Sequence, residues 1–310
     1  MTAAALVPSI DPLDGAVGRI ASFVSGFSLE AARVEPGDLI ALQSALPVQT
    51  PVYLTSVPGR LVSNLVGPAQ RLRAAGFEPV PHLPVRSIAS TAMLDDLLSS
   101  LAALAGVRRI MVIAGDRDRP AGEFDSALDL IESGLLQRHG ITEVDIAGHP
   151  EGHPRIASQV LQKALAAKVE AAEQTGLKAH IVTQFCFDAG AVINWLVQLR
   201  DLGIENPVRI GMAGPGNLST LIRYAQRCGV RASVQGLSRN AGLLKHMVGA
   251  SAPDGLIRPL AEAAGEGRLG QVTPHFYSFG GIAATARWAT AARSGHIVLD
   301  RADGFQVEPP

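Results

Sequence analysis

Cysteine is almost missing from this chain. Cys186 and Cys228 are too few for a disulfide framework and point to a reducing cytosol. An excess of either charge is missing too: the formal net charge is −1 over 310 residues and no basic tract stands out. Nucleic acid and anionic membrane are therefore not expected as partners. No apolar run reaches the roughly 18 residues of a membrane span. Met1 to Asp11 has no basic segment followed by an apolar core and cleavage site, so a cytoplasmic location is expected. Gly-x-Ser-x-Gly and Cys-x-x-Cys are absent, which weighs against serine hydrolase and thiol-redox chemistry. There is no internal repeat or low-complexity linker.

What is present is alternation of strand-like and helical runs, the mark of a parallel α/β sheet. Strands are expected at Arg19–Phe27, Pro51–Val57, Pro79–Leu83, Arg109–Ala114, Thr142–Ile146, Lys178–Phe187, Val208–Met212 and Val272–Phe279. Helical spacing falls at Asp38–Leu46, Leu61–Ala75, Thr91–Ala105, Phe124–Leu136, Arg155–Gln174, Ala191–Leu202, Leu218–Cys228 and Ile282–Ala292. Two further helices, Leu237–Val248 and Gly255–Ala264, stand where the alternation breaks. The expected fold is α/β, a (βα)8 TIM barrel with extra helices between strands 7 and 8. Residues 1–293 would form the single barrel domain and 294–310 a C-terminal extension.

In such barrels chemistry sits where the strands end. The polar residues there are Glu30, Thr55, Ser56, His82, Asp116, His149, His153, Gln184 and Tyr277. The run Ala147-Gly148-His149-Pro150-Glu151-Gly152-His153-Pro154 is the most distinctive, and Pro154 reads as the first position of the following helix. Free N–H groups of that first turn would face an anion in the loop. Its alternate His, Glu, His spacing is not that of a helical zinc motif. The run reads as a rigid turn or as a ligand-contacting loop. Glu30 can equally be a solvated carboxylate, His82 a core histidine and Asp116 a loop cap. Gln184 in an apolar strand needs partners for its amide, and a ligand edge would supply them. Gly214-Pro215-Gly216-Asn217 reads as a plain turn, with Asn217 a helix cap.

Taken in order, Ser28-Leu29-Glu30, Pro81-His82-Leu83, Ala114-Gly115-Asp116, Ala147 to Pro154, Thr183 to Asp188 and His275-Phe276-Tyr277 resemble the motifs of the methylenetetrahydrofolate reductase family. The resemblance covers most of residues 22 to 292. It implies an oxidoreductase that reduces methylenetetrahydrofolate to 5-methyltetrahydrofolate, with NADH or NADPH as co-substrate and FAD as cofactor. It further implies Glu30 as the acid that opens the folate ring, its pKa raised by burial, and Asp116 as the carboxylate that stabilises the iminium cation. Gln184, Asp116 and Tyr277 would meet the folate. Thr55, His82, Gly115, Asp116, Ala147, His149, His153 and Lys168 would meet the flavin.

The chain departs from the family pattern at Ala114, where an arginine is usual, at His149 for a tyrosine, at Phe124, and at Ala31-Ala32-Arg33-Val34. Direct hydride transfer without flavin, a non-redox one-carbon transferase and a folate-binding regulatory barrel remain open readings. The expected partners are a small-molecule folate and, as one option, further copies of the chain in a homo-oligomer.

Overall fold

The structure, a computed structural model, describes residues 15–56, 59, 61–227, 250–300 and 304–308. Eight parallel strands close into a barrel: β1 (Ser28–Ala31), β2 (Pro51–Leu54), β3 (Glu78–Pro84), β4 (Arg109–Ile113), β5 (Glu143–Gly148), β6 (Lys178–Thr183), β7 (Val208–Ala213) and β8 (Val272–Tyr277). Each pairs with its chain neighbour, and β8 closes on β1 through Ser28 opposite His275 and Glu30 opposite Tyr277.

Period-two alternation divides every strand between two cores. Ile110, Val112, Val144, Ile146, Ile210 and Met212 belong to the large core shared with the helices. Tyr53, Val80, Met111 and Val182 form a separate inner cluster, with Ile113 and Ala147 against it.

The helices are α1 (Ala16–Val24), α2 (Pro36–Ala45), α3 (Val66–Ala74), α4 (Thr91–Ala105), α5 (Ala127–Glu132), α6 (Leu135–Arg138), α7 (Ser158–Gln174), α8 (Ala189–Asp201), α9 (Leu218–Arg227), α10 (Asp254–Gly265) and α11 (Ile282–Arg293). Asn217 caps α9, its Oδ1 accepting from the Thr220 N–H at 2.8 Å. α10 is an additional helix between β7 and β8. The expected helix Leu237–Val248 lies outside the described residues. No helix among the described residues is long and apolar enough to cross a membrane.

Three expectations are corrected. Arg19–Phe27 is not the first strand. Ile20, Ala21, Phe23 and Val24 bury one face of α1 against α10 and α11, and β1 starts at Ser28. The helix expected over Phe124–Leu136 is two short ones, because Gly134 takes φ +72° between them. Pro154 does not open α7, which begins at Ser158 after an uncapped Ala157. Arg155 donates its backbone N–H to His153 Nδ1 at 3.2 Å, and His153 bridges to Ile156, so the chain turns once more before the helix.

At the C-terminal end, β9 (Ile297–Leu299) and β10 (Phe305–Val307) pair antiparallel. Phe305 is buried there, stacked on Trp288 at 5.7 Å.

Candidate active site

Glu30, in β1, points into the barrel and is only 9% exposed. Its Oε1 accepts from the Thr55 hydroxyl at 2.7 Å. Its Oε2 faces His275 Nε2 at 3.3 Å and His82 Nε2 at 3.4 Å. Ser28, two residues back on the same face, meets His275 Nδ1 at 2.8 Å. The strand period thus puts Ser28, Glu30, His82 and His275 around one point inside the mouth.

Burial pushes the Glu30 carboxyl up, but the two imidazoles and the Thr55 hydroxyl outweigh it and hold the group below the usual carboxylate value. The expected net rise is therefore reversed. His82 is itself pushed down by burial, against the pull of Glu30. The His82–Glu30 pair is within ion-pairing distance, yet His82 Nε2 has no hydrogen-bond partner, so the geometry is that of proximity rather than of a formed bond.

Across the mouth, the β6 end carries Gln184. Its Oε1 accepts the Phe185 N–H at 3.0 Å, which uses the acceptor expected to serve a ligand. Its backbone N–H donates to the Gly148 carbonyl. Tyr277 donates its hydroxyl to the Thr183 carbonyl at 3.1 Å and packs edge-on against Phe185. Phe279 stacks on Tyr224 at 4.4 Å to complete an aromatic wall.

That wall depends on Gly211. A Cβ there would lie 2.5 Å from the Thr183 carbonyl oxygen and 2.7 Å from that of Gln184, both backbone atoms that cannot step aside.

The loop after β5 forms the third side. His149 and His153 meet edge to face at 5.6 Å. Burial, helped by His153 and Lys168, pushes His149 down to about 4. Lys168 on α7 is also pushed down by burial, and among the described residues no carboxylate lies within ion-pairing distance of it. Glu151 ties this loop to the β6 end: its Oε1 accepts the backbone N–H groups of Phe187 at 2.6 Å and Asp188 at 2.9 Å. Ala147 packs in the inner cluster. Among the described residues no His, Cys, Asp and Glu group is arranged to hold a metal.

The structure does not gather every expected residue. Asp116 is exposed on the β4–α5 loop and makes no hydrogen bond or ion pair with a described side chain. Gly115 before it takes φ +90°, and a Cβ would lie 2.9 Å from Pro84. Thr55 is hydrogen-bonded to Glu30, and His82 stands beside the same carboxylate. Ser28, Tyr53, Asp145 and His275 were not singled out as site residues. The available signal was the inward face that Ser28 shares with Glu30 and His275 with Tyr277.

Comparison with known proteins gives a consistent picture. The profile of the family described as methylenetetrahydrofolate reductase matches residues 65–240. That span runs from the approach to α3 past the end of α9, so Glu30, Thr55, His275 and Tyr277 stand outside it. Methylenetetrahydrofolate reductase 2 of Saccharomyces cerevisiae is 27% identical over 197 residues, 59% of this chain. The match spans 31% of that relative's length.

Proposed function

Because the chain belongs to the methylenetetrahydrofolate reductase family, we propose that it reduces methylenetetrahydrofolate to methyltetrahydrofolate with NADH or NADPH, through FAD. The observation that carries this is the buried carboxylate with two imidazoles at the C-terminal mouth of the barrel. Ring opening needs a proton on the departing folate nitrogen. Glu30, held below the usual carboxylate value by the imidazoles, would relay that proton from His275 beside it, with Ser28 fixing the imidazole through Nδ1.

The iminium left on the folate is a cation, and the Glu30 carboxylate then stands next to it as a stabilising charge. Gln184 would donate from its amide to the pterin edge, and Tyr277 and Phe185 would pack against the ring. Asp116, exposed on its loop, would join only when the loop meets the ligand.

The residues fit a flavin on the β5–α7 side. A desolvated ammonium at Lys168 without a carboxylate partner is the donor a diphosphate needs, and His149 and His153 line the same loop. When bound, FAD would accept hydride from the nicotinamide and pass it to the folate carbon.

Direct transfer from nicotinamide is the second reading, favoured by the Thr55 hydroxyl, which is committed to Glu30 Oε1. Anaerobic turnover of methylenetetrahydrofolate with NADH or NADPH, with and without added FAD, separates the two. Substrate-dependent nicotinamide oxidation only with FAD supports the first, and oxidation without any flavin supports the second. No nicotinamide oxidation under either condition refutes both and leaves a non-redox folate protein.

A further inference from the structure

The barrel interior below Glu30 is not filled by aliphatic side chains alone. Tyr53 is fully buried and donates its hydroxyl to Asp145 Oδ2 at 2.8 Å. Asp145, also fully buried, takes Arg109 Nε on both oxygens at 3.0 and 3.1 Å. Arg109 is 8% exposed and leaves Nη2 without a partner. Burying such a set gains little stability, since well-packed apolar side chains of like volume often do as well or better. The set therefore calls for another account.

That account lies in what the tyrosine ring touches. Its centroid is 4.5 Å from that of His275, at 70°, and 5.9 Å from that of His82, at 86°. These are the two imidazoles on Glu30. His275 is hydrogen-bonded at both ring nitrogens, to Ser28 at 2.8 Å and to Glu30 at 3.3 Å, but His82 makes no hydrogen bond through Nε2, so hydrogen bonding alone does not orient it. Packing against a fixed ring can.

We infer that Tyr53, tethered by Asp145 and Arg109, is the positioning residue that sets His82 and His275 against Glu30. The ring acts as the wedge between the imidazoles, and the buried hydrogen bond fixes its tilt. Val80, Met111 and Val182 pack around it. The charged and titratable groups facing the assembly are Glu30, His275 and Asp145 toward His82, and Asp145, Arg109 and Arg209 toward Tyr53. The catalytic consequence rests on the reductase reading; the orientation of the imidazoles does not.

The test uses the full chain with isotope-labelled histidine rings, in the wild type, Tyr53→Phe and Tyr53→Leu. Titration of His82 and His275 is followed by NMR, and turnover of methylenetetrahydrofolate is measured against pH. Tyr53→Leu is expected to move both imidazole titrations and alter the pH profile. It should lower kcat by roughly ten- to a hundredfold, the scale of a small misplacement of reacting groups, with little change in KM. Tyr53→Phe keeps the ring and should fall between. Wild-type titrations and pH profile in Tyr53→Leu, with only a lower melting temperature, would overturn the inference. If Tyr53→Leu does not fold, unmoved titrations in Tyr53→Phe overturn it. Moved titrations in a protein without reductase activity would sustain the positioning role and refute the reductase reading.

Discussion

Removing the Glu151 side chain should loosen the site without touching its chemistry. One oxygen of Glu151 holds two backbone N–H groups of the β6–α8 loop, from a position on the β5–α7 loop. Hydrogen bonds to a charged partner contribute about 1.5–3 kcal/mol each. The Phe187 bond is partly buried and should carry that value, whereas the Asp188 bond is exposed and water can replace much of it. Glu151→Ala is thus expected to cost about 2–4 kcal/mol. In a chain of this size that corresponds to about 4–8 °C of melting temperature. Glu151→Gln keeps an oxygen in the same place and should cost under about 1 kcal/mol.

The two variants also differ in pH dependence. Burial raises the Glu151 carboxyl above its ordinary value, against the pull of the two N–H groups. The folded state therefore binds this proton more tightly than the unfolded one. The associated stability is present in acid and is lost as pH rises through the folded value. Glutamine has no such loss, so Glu151→Gln should gain on the wild type as the pH is raised. Urea unfolding between acid and neutral pH, with amide exchange at Phe187 and Asp188, measures both effects. Equal stability of the alanine and glutamine variants, with unchanged exchange at those amides, would refute the reasoning.

Glu30→Gln should slow folate reduction by roughly 10²–10⁴-fold, the range of general acid catalysis, while folate still binds. Near-normal turnover would remove Glu30 from the mechanism. Gly211→Ala should destabilise by about 1–3 kcal/mol, because the new methyl meets two carbonyl oxygens, and should weaken folate affinity by displacing Gln184. Thermal unfolding and a binding titration read these two effects, and a wild-type melting point would contradict the close approach. His180 donates to Glu143 at 2.8 Å, and burial with Arg109, Lys178 and Arg209 nearby pushes it down to about 3 from 6.5. It stays neutral in the fold while the unfolded chain takes up a proton, so its contribution is lost as pH falls from 6.5 toward 3. Unfolding measured across that window should show a flatter acid limb for His180→Gln, which can still donate to Glu143.

The barrel was legible because Arg109–Ile113, Lys178–Thr183 and Val208–Ala213 are apolar runs bounded by turns, with helical patterns between them. Residues 19–27 misled because Ile20 and Phe23 suit an alternating strand as well as a helical face, and only packing against α10 and α11 decides. Pro154 misled for a similar reason. A proline ahead of a helical pattern suits the first turn, but the His153 contact to the Arg155 N–H delays the helix.

Glu30, His82, Gln184 and Tyr277 were visible as polar residues where strands end. The company Glu30 keeps was not. Tyr53 and His275 reach it only through the register of β1 with β2 and β8, which no local pattern encodes. The direction of the Glu30 shift was hidden for the same reason, since burial can be anticipated from a strand but two opposing imidazoles cannot.

The missing side chain at Gly211 has a mechanical corollary. With nothing between them, the β6 end rests on the β7 backbone: the Gly211 N–H donates to Thr183 Oγ1 at 2.8 Å, and the Gly211 carbonyl accepts from Cys186 at 3.0 Å. Tyr277 reaches over from β8 to the Thr183 carbonyl. Three strands are thereby clasped at one peptide. A ligand that pulls on Gln184 pulls on Thr183, and with it on the tyrosine two strands away. This wall should answer such a load as one stiff lever, its halves tightening together when a ligand seats and slackening together when it leaves.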